Sequence, residues 1–132
     1  MVTTERTTQK EFNALVVEDN RDLAQLFSNL LQVLGGRTEL AFTAEAAIEK
    51  ACAILPDIVF CDLVLPGGKS GVEFAREFRR QAQFKHVPII AVTGQSYSDD
   101  RKAAELADFD DVFEKPVKFA NILKVLQAFR LC

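Results

Sequence analysis

Hydrophobic residues follow two alternating patterns along the chain. Short apolar runs rich in Val, Ile and Phe alternate with longer segments in which apolar residues recur every three or four positions. The first pattern is typical of buried strands and the second of amphipathic helices. Together they predict five strands, at residues 12–17, 37–41, 58–62, 87–94 and 111–113, which alternate with five helices, the fourth of them at roughly residues 99–106.

This alternation predicts an α/β fold. Strands that are apolar throughout need cover on both faces, so helices are expected on both sides of a parallel sheet, with right-handed crossovers. Arg76, Arg79 and Arg80 of the third helix are predicted to face solvent. The apolar stripe of the first helix is expected to face the sheet; it consists of Leu23, Leu26, Phe27, Leu30, Leu31 and Leu34.

Length and charge narrow the class of protein. A chain of 132 residues supports one domain with one core, preceded by a flexible N-terminal tail at residues 1–11, which lack an apolar period. The net charge is −3, whereas nucleic-acid binding needs a basic surface, so nucleic acid is not an expected partner. No stretch predicts a membrane span or a signal peptide, which favours the cytoplasm.

Cys52 and Cys61 have no metal-binding spacing and are predicted to be small core residues.

Polar side chains stand where the predicted strands end. Glu18 and Asp19 follow the first strand, Asp62 ends the third, Thr93 ends the fourth and Lys115 follows the fifth. The carboxyl ends of parallel strands share one edge of a sheet, where ligands bind, so these side chains are expected to converge. Three of them also have a common structural use on their own: Asp19 could cap the next helix, Thr93 could serve a turn, and Lys115 could be a solvated charge.

The expected convergence has a chemical consequence. Three carboxylates close together repel one another and raise one another's pKa, which is costly unless a cation binds there. Mg²⁺ is the expected cation, because it prefers oxygen ligands, is held by one or two carboxylates plus water, and completes its shell with phosphate oxygens. The set therefore predicts a phosphate site in which Asp62 could be the nucleophile and form an acyl phosphate.

The motifs resemble those of response-regulator receiver domains of two-component signalling, over about residues 12–129. The resemblance rests on the acidic pair after the first strand, on the residues that follow the third strand, and on two dipeptides further along, namely Glu18-Asp19, Asp62-Leu63-Val64-Leu65-Pro66, Thr93-Gly94 and Lys115-Pro116. It implies a doubly wound, flavodoxin-like sheet of five parallel strands in the order 2-1-3-4-5 with five helices, which makes residues 12–132 the receiver domain. It also implies a cis peptide bond between Lys115 and Pro116.

The resemblance implies roles in phosphoryl transfer. Asp62 would accept a phosphoryl group from a phosphohistidine of a sensor histidine kinase or a histidine phosphotransfer protein, while Thr93 and Lys115 would each contact a phosphoryl oxygen. The domain would phosphorylate and dephosphorylate itself without turning over a separate substrate. Its change of conformation would control the binding of a downstream protein, or of a second copy through the face formed by the fourth helix, fifth strand and fifth helix.

For the metal, the resemblance implies direct ligation of Mg²⁺ by Asp19, Asp62 and the backbone carbonyl of Val64, with Glu18 acting through water. Val64 also stands two residues after Asp62, at a position that in this family influences the lifetime of the acyl phosphate. An apolar side chain cannot orient an attacking water, so slow autodephosphorylation is predicted.

Two features depart from the usual family pattern. Receiver domains usually carry an aromatic rotamer switch, coupled to the threonine, three residues before the lysine; here that residue is Val112, and Phe113 follows it on the other face of the strand. The switch region is therefore assigned to Thr93, Val112 and Phe113. The loop at residues 66–71 is also one residue longer than the commonest family form.

Two other classes of function are compatible with the same residues. A phosphatase of the haloacid-dehalogenase type also combines an aspartyl nucleophile with Mg²⁺, but it carries a second Asp where this chain has Val64. A phosphorylation-independent interaction module would be favoured by loss of the nucleophile or the lysine, and both are present. Because the last helix ends the chain, the sequence is expected to be a stand-alone receiver, or one part of a larger protein, whose output is a binding event.

Overall fold

The computed structural model describes residues 11–94 and 108–132. The strands are β1 (Phe12–Val17), β2 (Gly36–Ala41), β3 (Ile58–Asp62), β4 (Ile89–Thr93) and β5 (Asp111–Glu114). The helices within the described ranges are α1 (Arg21–Val33), α2 (Ala44–Ile54), α3 (Gly71–Arg80) and α4 (Phe119–Ala128), with a short 3-10 helix at Ala82–Phe84. The helix predicted at 99–106 lies outside the described residues, as does the tail apart from Glu11. In the described part of the chain, no helix has both the length and the hydropathy to span a bilayer.

The five strands form one parallel sheet in the order β2-β1-β3-β4-β5. The parallel sheet predicted from the apolar pattern and the order 2-1-3-4-5 implied by the resemblance are both confirmed. The chain reverses its direction of winding between β1 and β3. In doubly wound folds, ligands bind in the crevice at the carboxyl ends of the strands beside this reversal. Glu18 follows β1 and Asp62 ends β3, so both residues lie at that crevice.

Each face of the sheet is covered by its own apolar cluster, because successive strand residues point to opposite faces. On one face, Leu15, Val17 and Cys61 pack with buried residues of α2 and α3. On the other, Val16 and Phe60 pack with buried residues of α1 and α4. Burying an aromatic or aliphatic side chain of this size contributes roughly 1.5–3 kcal/mol, so the two clusters hold the strands in one register.

Polar residues cap the N-termini of three of the described helices by accepting backbone hydrogen bonds. Asn20 caps α1 by accepting a hydrogen bond from the backbone of Leu23, and Thr43 caps α2 in the same way. Ser70 and Glu73 form a reciprocal capping box at the start of α3. Since Asn20 and not Asp19 caps α1, the Asp19 carboxylate is not used to begin the helix.

The apolar stripe of α1 is only partly buried. Leu23 and Leu26 were predicted to face the sheet, and this is wrong, because they are 42% and 56% exposed. The smaller residues Ala24 and Ser28 are buried instead, and the Ser28 hydroxyl hydrogen-bonds to the hydroxyl of Thr38 in β2. Small residues at the contact let the helix lie close to the sheet, which leaves the flanking leucines at the surface.

The two internal cysteines differ in burial. Cys61 in β3 is buried, as predicted, whereas Cys52 is exposed on α2 and its prediction as a core residue is wrong. Helix α2 turns three of its five alanines, Ala44, Ala47 and Ala51, to the sheet. Cys52 is one position past Ala51 and therefore lies about 100° around the helix from the buried stripe.

The prediction for Arg79 is also wrong: its side chain was predicted to face solvent but is only 20% exposed. Arg76 and Arg80 are exposed, as predicted. The Arg79 guanidinium donates to the Asp110 carboxylate at 3.1 Å, and that carboxylate also accepts the backbone N–H of Ile89 at 2.8 Å. The guanidinium also donates to four backbone carbonyl oxygens that precede β4 or β5, those of Phe84, Lys85, Val87 and Asp108. Arg79 thus ties the end of α3 to the beginnings of two strands, at the edge of the sheet opposite the crevice.

Replacing Arg79 with Met is expected to lower the free energy of unfolding by about 2–4 kcal/mol, because the carbonyl oxygens and the Asp110 carboxylate lose their charged donor. Urea denaturation measures this change. Arg80→Met makes the same replacement at the exposed neighbour and should change the free energy of unfolding by less than about 0.5 kcal/mol. Equal losses in the two variants would show that the Arg79 contacts do not stabilise the fold.

Candidate functional site

The four charged side chains predicted to converge, those of Glu18, Asp19, Asp62 and Lys115, do so at the carboxyl edge of the sheet. The Lys115 Nζ atom lies 2.8 Å from Glu18 Oε1 and 2.9 Å from Asp62 Oδ2. One carboxylate oxygen from each of Glu18, Asp19 and Asp62 lies within 4.8 Å of the other two. The Glu18 and Asp62 side chains are each 9% exposed and that of Lys115 is 25% exposed, whereas Asp19 is at the surface.

Lys115 offsets part of the repulsion within the acidic triad Glu18, Asp19 and Asp62. Three ionised carboxylates and one ammonium leave a formal charge of two negative units at the site. The donor atoms are all oxygens and lie close enough to share one ion, which fits the preference of Mg²⁺ for carboxylate and water ligands. The triad is therefore a binding pocket suited to Mg²⁺ in both charge and donor type.

Glu18 and Asp62 are each held at both oxygens. In Asp62, Oδ2 contacts Lys115 and Oδ1 accepts the backbone N–H of Val64 at 3.1 Å. In Glu18, Oε1 contacts Lys115 and Oε2 accepts the backbone N–H of Asn20 at 3.1 Å. The carboxylates therefore take their orientation from the turns that follow β1 and β3. The acids at the strand ends were predicted from the sequence, but these backbone donors were not. Nearly every residue has a backbone N–H group, so residue type does not show which one donates.

Burial, neighbouring charges and hydrogen bonds shift the pKa values of Glu18 and Lys115 in opposing directions. Burial raises the pKa of Glu18 and the charge of Asp62 raises it further, against the hydrogen bonds from Lys115 and Asn20, which lower it. Burial also lowers the pKa of Lys115, but its hydrogen bonds to Glu18 and Asp62 outweigh that effect, and the pKa is raised overall. The lysine is therefore a firmly protonated cation beside the Glu18 carboxylate, whose ionised form desolvation disfavours.

Thr93 ends β4 at the same edge and is 2% exposed. Its carbonyl oxygen accepts the backbone N–H of Lys115 at 2.8 Å, which fixes the end of β5 against the end of β4. The peptide bond between Lys115 and Pro116 is cis, as the resemblance implies.

The two remaining residues of the predicted switch region lie on opposite faces of β5, as strand alternation predicted. Val112 is half-buried, pairs with Ala91 of β4 and packs in a small cluster with Leu63. Phe113 is buried on the other face, with its ring 6.4 Å from that of Phe60. The position three residues before Lys115 thus carries the aliphatic side chain of Val112, and the ring of Phe113 lies on the opposite face of β5.

Gly71 is a residue at this site that sequence reasoning missed. Its backbone N–H donates to the carbonyl oxygen of Leu63 at 3.0 Å, and a Cβ atom added to it would lie 2.1 Å from the carbonyl oxygen of Asp62. Only glycine allows α3 to begin this close to the end of β3. The signal was a glycine directly after the capping serine, where helix propensity alone gives no reason for one.

Val64, two residues after Asp62, lies at the mouth of the site and is 62% exposed. Beside the site, a groove of about 400 Å³ runs between α1 and residues 115–117. Its walls are mainly apolar and include Leu23, Leu26, Phe27 and Val117. The exposed leucines of α1 therefore adjoin the acidic crevice.

Comparisons with known proteins agree with this geometry. The protein-family model of the response regulator receiver domain matches residues 14–127. The KDP operon transcriptional regulatory protein KdpE of Escherichia coli K12 is 35% identical over 104 residues, which cover 79% of this chain and 44% of KdpE. The phosphate regulon regulatory protein PhoB of the same strain is 28% identical over 114 residues, which cover 86% of this chain and 49% of PhoB. The chain thus spans about half the length of these relatives.

Solved structures show the same fold. The receiver domain of the sensor histidine kinase PA1611 from Pseudomonas aeruginosa PAO1 superposes with a TM-score of 0.81 at 31% identity, and the match covers 91% of this chain and 98% of that one. That structure has a magnesium ion coordinated in its active-site cleft. Since the family model covers most of the chain and the acidic triad lies at its expected edge, the chain belongs to the response regulator receiver domains of two-component signalling, which are signalling modules and not conventional enzymes.

Proposed function

We propose that this domain takes a phosphoryl group from a phosphohistidine onto Asp62 in a two-component phosphorelay. The position of Asp62 carries the proposal. Asp62 ends the central strand of the sheet, with the acids Glu18 and Asp19 beyond β1 on one side and Thr93 at the end of β4 on the other. Of the triad, it is the member placed between the acidic side of the crevice and the hydroxyl side.

The chemistry asks mainly for positioning. An oxygen of Asp62 attacks phosphorus, the bond from phosphorus to the donor's imidazole nitrogen breaks, and an acyl phosphate forms. Lys115, already 2.9 Å from Asp62 Oδ2, holds a phosphoryl oxygen, and the hydroxyl of Thr93 donates to another. When bound through Asp19, Asp62 and the Val64 carbonyl, with Glu18 acting through water, Mg²⁺ would supply positive charge for the phosphoryl oxygens.

The donor is a sensor histidine kinase or a histidine phosphotransfer protein, and we place its docking surface on α1. Leu23 and Leu26 are large apolar side chains exposed beside the crevice, on the wall of the groove that ends at Lys115. Exposed apolar surface of this kind is typical of protein interfaces. A donor bound there would lie beside Lys115, whose Nζ atom is 2.9 Å from Asp62 Oδ2.

Phosphorylation would act outward through Thr93 on the face that includes β5 and α4. A downstream protein, or a second copy of the chain, would bind this face in the cytoplasm. The part of that face predicted at residues 99–106 is outside the described ranges.

Incubation with acetyl phosphate and Mg²⁺ tests the proposal. Intact-protein mass spectrometry is expected to show the addition of one phosphoryl group, and Asp62→Asn is expected to abolish it because the amide is not a nucleophile. Asp57→Asn is the matched control: it makes the same change just before the other end of β3, where the carboxylate accepts the backbone N–H of Asn13. Equal phosphorylation of the Asp62→Asn variant, or steady hydrolysis of phosphate esters by the wild type, would contradict the proposal.

Val64→Asn is expected to shorten the half-life of the phosphorylated form several-fold, because an exposed amide at the mouth of the site can orient a water toward phosphorus, which valine cannot. The decay of the phosphorylated mass after removal of acetyl phosphate measures this half-life. Val64→Leu, which keeps an apolar side chain, should leave it unchanged. A half-life that Asn does not alter would rule out control by residue 64.

Leu26→Glu is expected to slow phosphotransfer from a histidine kinase at least tenfold, since burying an unpaired charge in an apolar interface costs more than about 1.4 kcal/mol. The donor is the fastest one found in a panel of purified, autophosphorylated kinases, and transfer is followed by radiolabel. The reaction with acetyl phosphate, which needs no docking surface, should be unchanged. Val33→Glu changes an exposed residue at the far end of α1 and should alter neither reaction; equal slowing by both variants would refute docking at Leu26.

A further inference from the structure

Phe109 is an aromatic residue that none of the site motifs includes. It precedes β5 by two residues and is half-buried. Its side chain packs against the apolar cluster on the α2 and α3 face of the sheet. It also packs against a second, smaller cluster made of Leu63 and Ala91, together with Val72 and Val112. We call this second group the Leu63 cluster.

The Leu63 cluster lies directly behind the residues of the site. Leu63 follows Asp62, and its carbonyl oxygen accepts the N–H of Gly71. Ala91 stands two residues before Thr93 and so points to the same face of β4. A displacement at either Asp62 or Thr93 therefore reaches a residue against which the Phe109 ring is packed.

The backbone on both sides of Phe109 is fixed. Arg79 donates to the carbonyl oxygen of Asp108 at 3.0 Å and to the carboxylate of Asp110 at 3.1 Å. The backbone N–H of Asp110 in turn donates to the carbonyl oxygen of Ile89 at 2.8 Å. With its neighbours held, Phe109 can respond to a change in the cluster only by moving its ring.

The size of the side chains makes such a movement available. Val112 and Ala91 are small, and among the described residues that form or pack against the Leu63 cluster, Phe109 has the largest side chain. Phe109 as a whole residue is half-buried, so a change of rotamer exchanges partial packing for exposure. Tightly packed clusters switch between discrete arrangements and do not deform continuously.

We propose that the side chain of Phe109 transmits the phosphorylation state of Asp62 from the Leu63 cluster to the segment that leads into β5. This inference rests on the proposed function of Asp62. Phosphorylation shifts Leu63 and Ala91 through the ends of β3 and β4, and the ring of Phe109 takes a second position against them. Arg79 is then the fixed point of the movement, since it holds the residues on either side of the ring.

A single fluorophore tests this. The chain contains no tryptophan, so Phe109→Trp introduces one reporter at the ring position. Adding acetyl phosphate and Mg²⁺ to the full chain is expected to shift its emission maximum, and the double variant Phe109→Trp/Asp62→Asn should show no shift. Val33→Trp, whose side chain is in solvent at the end of α1, is the control and should show none either.

A second measurement covers the case in which tryptophan does not fit. The chain with its natural sequence is labelled with 4-fluorophenylalanine, and the Phe109 resonance is assigned by its loss in Phe109→Leu. Fluorine NMR is expected to show that this resonance moves on phosphorylation, while that of Phe12, which is buried in the apolar cluster on the other face of the sheet, stays in place.

Intact mass, recorded on every sample, separates the possible failures. A phosphoryl mass increase with no change in either the emission or the Phe109 resonance overturns the role of Phe109 and leaves that of Asp62 intact. No mass increase overturns both proposals. A shift that persists in the double variant also overturns the role of Phe109, because the signal would not come from Asp62.

Discussion

The ammonium group of Lys115 is the interaction on which the crevice depends. It joins the ends of three strands, because it lies 2.8 Å from Glu18 beyond β1 and 2.9 Å from Asp62 at the end of β3, while its own backbone follows β5. Without it, two largely buried carboxylates would face each other with no positive charge, and desolvation already raises the pKa of Glu18. The same ammonium is the one proposed to hold a phosphoryl oxygen, so fold stability and phosphoryl binding draw on a single cation.

The two edges of the sheet are built differently. At the carboxyl edge, charged side chains face one another across an open crevice, and the backbone N–H groups of Asn20 and Val64 orient them. At the amino edge, Arg79 is satisfied by backbone carbonyls and by Asp110, which leaves that edge closed. Because the amino edge is fixed, a change in charge at Asp62 can act on local packing without loosening the strands. Phe109 stands between Asp108 and Asp110, which Arg79 holds at the amino edge, and packs against the Leu63 cluster behind the site.

Much of this arrangement could be predicted from the sequence, because its causes are periodic or local. Alternating apolar runs and amphipathic segments fix a parallel sheet, and a parallel sheet places Glu18, Asp62 and Lys115 at one edge. The pairing of Lys115 with Glu18 could not be predicted, since it depends on the distance between the ends of β1 and β5, which β3 and β4 separate. The exposure of Leu26 and the enclosure of Arg79 were missed for a related reason: periodicity shows that a helix has two faces, but not which neighbour covers each one.

The position of the acyl phosphate tests the account most directly. After incubation with acetyl phosphate and Mg²⁺, sodium borohydride reduces an aspartyl phosphate to homoserine, and peptide mass spectrometry locates the changed residue. The account predicts homoserine at position 62 and at no other acidic residue. Reduction at Asp19 or Glu18, or a phosphorylated protein in which no acidic residue is reduced, would contradict it.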